Sequence, residues 1–177
     1  AFRVTSPQPP IHSVPDAAVQ RARVATFGVF ALNGFLLGLW IVNIPTIKDR
    51  TDISAATLGG LLLVLGGSAW VGMTLAGRGI DRFGSARVAT VGIVTLSASI
   101  VLPGLATNAA SLAAALVVIG FTNGVIDVAQ NAQAVVVERE YGRPIMSAFH
   151  ALFSAGGLLA AATGGALLAV GTDIRIN

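Results

Sequence analysis

The sequence predicts an all-α fold, a polytopic bundle of transmembrane helices, on three observations. Long stretches carry no charge: residues 24–47, 53–77, 88–126 and 144–172, the last neutral when His150 is. Each reaches the about 20 apolar residues that cross a bilayer, and the third is long enough to cross twice. Composition agrees, with 54% of the 177 residues hydrophobic and 11% charged, against roughly 25% charged in a typical soluble domain. The remaining charges sit in short clusters between the apolar runs, where a membrane protein keeps its loops. A soluble core would break such runs with a polar face every turn or two. A water-soluble globule is therefore excluded, together with a disordered chain or a disulfide scaffold.

The elements follow in order. Residues 1–20 contain Pro7, Pro9, Pro10 and Pro15 and little that can pack, which predicts a disordered tail. The apolar stretch after Arg21 and Arg23 exceeds the about 7–15 residues of a secretory signal core. It predicts a first helix over about 24–47, with Pro45 near its end. A second helix runs over about 55–77, with Ser54 as its N-cap. A third covers about 86–102. Pro103, Gly104, Asn108 and Ser111 are turn formers and split the longest interval into a hairpin. A fourth helix covers about 111–137 and carries Asp127. A fifth covers about 145–170, with Pro144 suited to its first turn. Residues 171–177 read as the start of an outer loop.

Charge sets the expected orientation. With the amino terminus inside, Arg3, Arg21, Arg23, Arg78, Arg82, Arg87, Arg139 and Arg143 face the cytoplasm, and only Lys48, Arg50 and Arg175 face out. That asymmetry predicts an inside N-terminus in a bacterial inner membrane. The net charge of +3 is too dispersed for a nucleic-acid patch. There is no Cys, so a zinc site of the Cys type is excluded. No other metal-ligand spacing and no cofactor signature is present, and neither a Ser-His-Asp nor a paired-carboxylate arrangement suggests an enzyme. Five spans are an awkward number for a carrier built from repeats, so the chain reads as a fragment that continues with a sixth helix.

The segment from Gly77 to Arg87, GRGIDRFGSAR, joins the second and third helices. Gly77 and Gly84 allow a tight turn. Asp81 can accept from the amides at a neighbouring helix's N-terminus, and Arg82 and Arg87 can pair with carboxylates or lipid phosphates. By charge alone this is an ordinary positive-inside loop. By spacing it resembles the signature loop of the major facilitator superfamily, with Gly77, Asp81, Arg82 and Gly84 matching. It departs at Ser85 and Ala86, where a basic pair is common, and at Gly79, where a larger apolar residue is usual. The resemblance implies a secondary transporter in which Gly77, Asp81, Arg82, Gly84 and Arg87 form a gating latch. It also implies that five of twelve helices are present and that the latch's partner lies in the missing C-terminal half. Asp127-Val-Ala-Gln-Asn131, with Arg143-Pro-Ile-Met and the segment from Phe149 to Gly156, is distantly similar to proton-coupled fucose symporters.

Polar side chains within the apolar runs supply the candidate site. At 100° per residue, Asn123, Asp127, Gln130 and Asn131 form one polar stripe on the fourth helix. Asp127 lies about 24 Å along that helix, past its centre. Ionisable residues at that depth usually serve ion or substrate movement, so Asp127 is the expected proton-coupling group. The amides read equally as cavity groups or as hydrogen bonds gluing helices. His150 shares a face with Ser147, Ser154 and Gly157, and reads as a substrate partner, a proton relay or a packing histidine. Asn33, Trp40 and Asn43 share a face of the first helix, where Trp40 is either a cavity wall or an interface aromatic. Trp70 and Phe121 read as packing. Glu138, Arg139, Glu140 and Arg143 read as a solvated loop.

The expected function is proton-coupled transport, as a symporter, of a small sugar-like solute or organic ion by alternating access. The alternative is a non-transporting membrane subunit, scaffold or inactive fragment. The expected partners are the solute, the proton, the lipid bilayer and the rest of the carrier, with no nucleic acid.

Overall fold

A computed structural model describes residues 16–171. Of the expected tail (1–20) and outer loop (171–177), residues 1–15 and 172–177 lie outside the described residues. Among the described residues the elements are α1 (Ala17–Arg50), α2 (Ala55–Phe83), α3 (Ser85–Ser99), a single turn α4 (Leu102–Leu105), α5 (Ala109–Tyr141) and α6 (Met146–Ala169). With α3 and α4 taken as one span, five segments are long and apolar enough to cross a membrane. The protein is an all-helical integral membrane bundle of the transporter type.

α1, α2 and α5 run past the charge-free intervals that announced them. Charge ends a span, because a charged side chain is costly in lipid, but it does not end a helix. Thus α1 begins at Ala17, inside the stretch expected to be tail, and continues through Pro45 to Arg50. α2 runs six residues past Gly77, through Arg78, Asp81 and Arg82, to Phe83. The expected loop there shrinks to Gly84, the one non-helical residue between α2 and α3, at φ 83° and ψ 151°. Gly77 makes no turn.

Other ends show their chemistry. The Ser54 hydroxyl accepts the Thr57 amide at 3.0 Å, capping α2. The expected hairpin break falls later than Pro103 and Gly104, which lie inside α4. It comes at Asn108, whose side chain accepts the Ser111 amide at 2.9 Å while the Ser111 hydroxyl accepts the Asn108 amide, a reciprocal cap on α5. Pro144 precedes α6 and stands outside its first turn. Glu138 does the capping there, its carboxylate accepting the Ile145 and Met146 amides at 2.6 Å each. This corrects the reading of Glu138 as part of a solvated loop, while Arg139, Glu140 and Arg143 are exposed.

Packing makes two tight pairs, α1 with α6 and α2 with α5, and α3 lies along α5. Glycines set the closeness. A Cβ at Gly34 would overlap the Phe153 backbone, one at Gly156 the Ala31 carbonyl, one at Gly124 the Ala69 carbonyl and one at Gly72 the Phe121 carbonyl. In lipid, such backbone approach supplies the dispersion contacts that water would otherwise drive by exclusion. Thr and Ser hydroxyls inside the spans donate to carbonyls three or four residues back, as Thr26 does to Ala22 at 2.8 Å. Trp70 is 69% exposed and does not pack in the bundle, whereas Phe121 is 36% exposed.

Candidate functional site

α5 crosses the middle of the bundle and carries most of the polar candidates. Its 33 residues run about 50 Å at 1.5 Å each, and Asp127 lies about 3 Å beyond the midpoint. The extension of α5 to Tyr141 brings Asp127 closer to the centre than the expected boundaries did. Asp127 is half-buried. The Asn131 amide, one turn on, donates to the Asp127 carbonyl at 2.8 Å and to its carboxylate at 3.4 Å. His150 stands exposed in the second turn of α6. Its ring stands edge-on to Phe30 at 5.3 Å between centroids. α6 packs along α1 and barely touches α5; on α5 Asp127 and Asn131 are half-buried, and on α6 His150 is exposed.

The expected stripe on α5 is divided. Gln130 is 2% exposed and turns into a separate cavity beside α1 and α3. Asn123 is half-buried with its side-chain oxygen unpartnered, as are the side-chain oxygens of Gln130 and of Asn33, itself 1% exposed. The Asn43 amide donates to the Leu39 carbonyl at 2.8 Å. Trp40 is 7% exposed and belongs to a buried cluster with Ile47, Leu61, Leu112 and Leu116. Ser147 and Ser154 are exposed beside His150.

The signature segment gathers at the end of the bundle formed by the α2–α3 junction. Asp81, Arg82 and Arg87 are exposed, and the Arg82 guanidinium lies 5.3 Å from the Phe83 ring centroid. Among the described residues no helix-terminal amide donates to the Asp81 side chain, and the half in which the latch's partner is expected lies beyond this chain. Ser85 donates instead to the Gln133 side chain at 2.7 Å, tying α3 to α5. Arg23 donates to the Tyr141 hydroxyl and lies over its ring. At the opposite end Arg50 donates to the Pro103 and Ala106 carbonyls at 2.9 and 2.8 Å. Sequence reasoning missed these three ties, which join residues 48 to 118 positions apart. Among the described residues no group of three or more His, Cys, Asp or Glu could hold a metal ion.

This arrangement places a half-buried carboxylate and amides on α5 and an exposed imidazole near the start of α6. Such groups can hold a proton and bind hydroxyl or ammonium donors. Comparison with known proteins agrees in kind. An uncharacterized transporter of Sinorhizobium fredii is 42% identical over 135 residues, 76% of this chain and 36% of that protein. An uncharacterized MFS-type transporter of Yersinia pestis is 38% identical over 151 residues, 85% of this chain and 39% of that protein. The membrane protein MosC of Rhizobium meliloti is 33% identical over 150 residues, 85% of this chain and 36% of that protein. The chain thus spans well under half the length of each. No protein-family model matches it.

Proposed function

We propose that the chain forms the first part of a major facilitator superfamily carrier that moves a small solute by alternating access, with the proton as coupling ion. The observation that carries this reading is Asp127, a half-buried carboxylate near the midpoint of the 33-residue helix α5, with the Asn131 amide donating to it. A carboxylate at that depth is costly unless it faces water or a ligand. Asp127 binds and releases the proton, Asn131 orients it, and Asn123 and His150 offer hydrogen bonds to a sugar-like solute or organic ion. Protonation and solute binding together shift the population between two bundle arrangements.

The α2–α3 end is the cytoplasmic one. Among the described residues it gathers Arg21, Arg23, Arg78, Arg82, Arg87, Arg139 and Arg143, against Lys48 and Arg50 at the other end. Asp81, Arg82 and Arg87, exposed there, form half of a latch that closes on the rest of the carrier. The names of the relatives support transport, and the place of the signature segment between the second and third spans supports this family. The test is Asp127→Asn in the full-length carrier. The expected result is loss of uphill, proton-driven uptake with exchange of solute partly retained; uptake unchanged from wild type sinks the reading.

A further inference from the structure

The lining of the cavity beside Gln130 includes none of Asp127, Asn131, Asn123 or His150. The cavity's volume is about 160 Å³, and it lies between the first turns of α1, the first turns of α3 and the later half of α5. Thr26 and Val29 line it from α1, Ala89 and Thr90 from α3, and Gln130 and Gln133 from α5. Gln130 is 98% buried by its 2% exposure, and its side-chain oxygen has no partner in the protein. Gln133 already accepts the Ser85 hydroxyl, and Thr26 already donates to Ala22. Each of these oxygens keeps a lone pair free for another donor.

A buried amide oxygen left unpaired is costly, and water satisfies such groups where the space is polar and large enough. At about 30 Å³ per molecule the cavity has room for several. Thr26, Thr90, Gln130 and Gln133 give water polar partners there, and the volume is too small for a large solute. Gln130 lies three residues from Asp127, about 4.5 Å along the axis of α5. The cavity's other wall is built by residues next to the Gly84–Ser85 junction, at the end assigned above to the cytoplasm.

We propose that this cavity is a water-filled pocket, entered from the α2–α3 end, that brings solvent within about one helical turn of Asp127 and serves as the inner end of the proton's route. The hydration stands on the geometry alone; the role in proton movement rests on the carrier reading.

The chain has no cysteine, so single introduced thiols report without background once any cysteines elsewhere in the full-length carrier are replaced. A thiol reacts as the thiolate, which needs water. Thr26→Cys and Ala89→Cys place it in the pocket, and Ala129→Cys places it in the dry core, where Ala129 is 0% exposed. In vesicles presenting the α2–α3 end outward, a small charged methanethiosulfonate is expected to modify positions 26 and 89 at least ten times faster than 129. Equal rates overturn the pocket's hydration. Gln130→Leu is expected to slow modification of Thr26→Cys about fivefold and to slow proton-driven uptake severalfold. Unchanged modification overturns the part assigned to Gln130, and unchanged uptake overturns the proton route. The modification rates on the unaltered Gln130 background stand whether or not Gln130→Leu folds. They also hold if Asp127→Asn leaves uptake intact, so the two readings fail separately.

Discussion

Glu138 shows how a single side chain can leave the role its neighbours suggest. Set among Arg139, Glu140 and Arg143 it reads as solvated charge, yet its carboxylate holds two orphan amides of α6, where the helix dipole also favours an anion. Replacing it with Ala frees both amides, and Glu138→Ala is expected to lower stability in detergent by about 1–3 kcal/mol, the range for charge-assisted hydrogen bonds. A thermal-shift measurement checks this; an unchanged melting temperature contradicts the cap. Arg50 plays a matching part at the other end, where one guanidinium nitrogen holds the carbonyls of Pro103 and Ala106. Gly84 is a third case. Its ψ of 151° at φ 83° lies in a region essentially restricted to glycine. Gly84→Ala is expected to cost about 1–3 kcal/mol, seen as a lower melting temperature and a weaker α2–α3 joint.

At the level of helices, glycine's effect depends on what stands opposite. Gly34 meets the Phe153 backbone, whereas nothing lies within 4 Å of a Cβ at Gly28 on the same helix. Gly28→Ala is therefore expected to be neutral or stabilising by up to about 1 kcal/mol from helix propensity. Gly34→Ala is expected to destabilise by about 1–3 kcal/mol or more, since the backbones must part. Comparing the two melting temperatures checks the α1–α6 pairing, and equal shifts contradict it. The sequence showed where the five spans lie, because lipid demands an uncharged run of fixed length. It did not show the helix ends, because α1, α2 and α5 continue past the membrane as polar helix, where no solvent boundary marks them. Ser54 was legible as a cap because capping is local. The ties Ser85–Gln133, Arg50–Pro103 and Arg23–Tyr141 were not, since each needs partners brought together by packing. The helical wheel likewise placed Asp127 and Gln130 on one stripe, but only the positions of α1 and α3 show that Gln130 turns into a pocket of its own.

Over the whole bundle, α1 pairs closely with α6 and α2 with α5, while contact between α5 and α6 is sparse. A carrier needs close-packed glycine seams that move as units and a polar face that each arrangement exposes in turn. In the proposed reading, coupling rests on one carboxylate at that face. The most direct measurement is the proton signal itself. Full-length carrier in weak buffer, with a pH-sensitive dye, is mixed with a panel of sugars and organic ions. The wild-type protein is expected to exchange protons with the medium on binding its solute. Asp127→Asn is expected to bind that solute with no proton signal, and a signal equal to wild type in that variant contradicts the account.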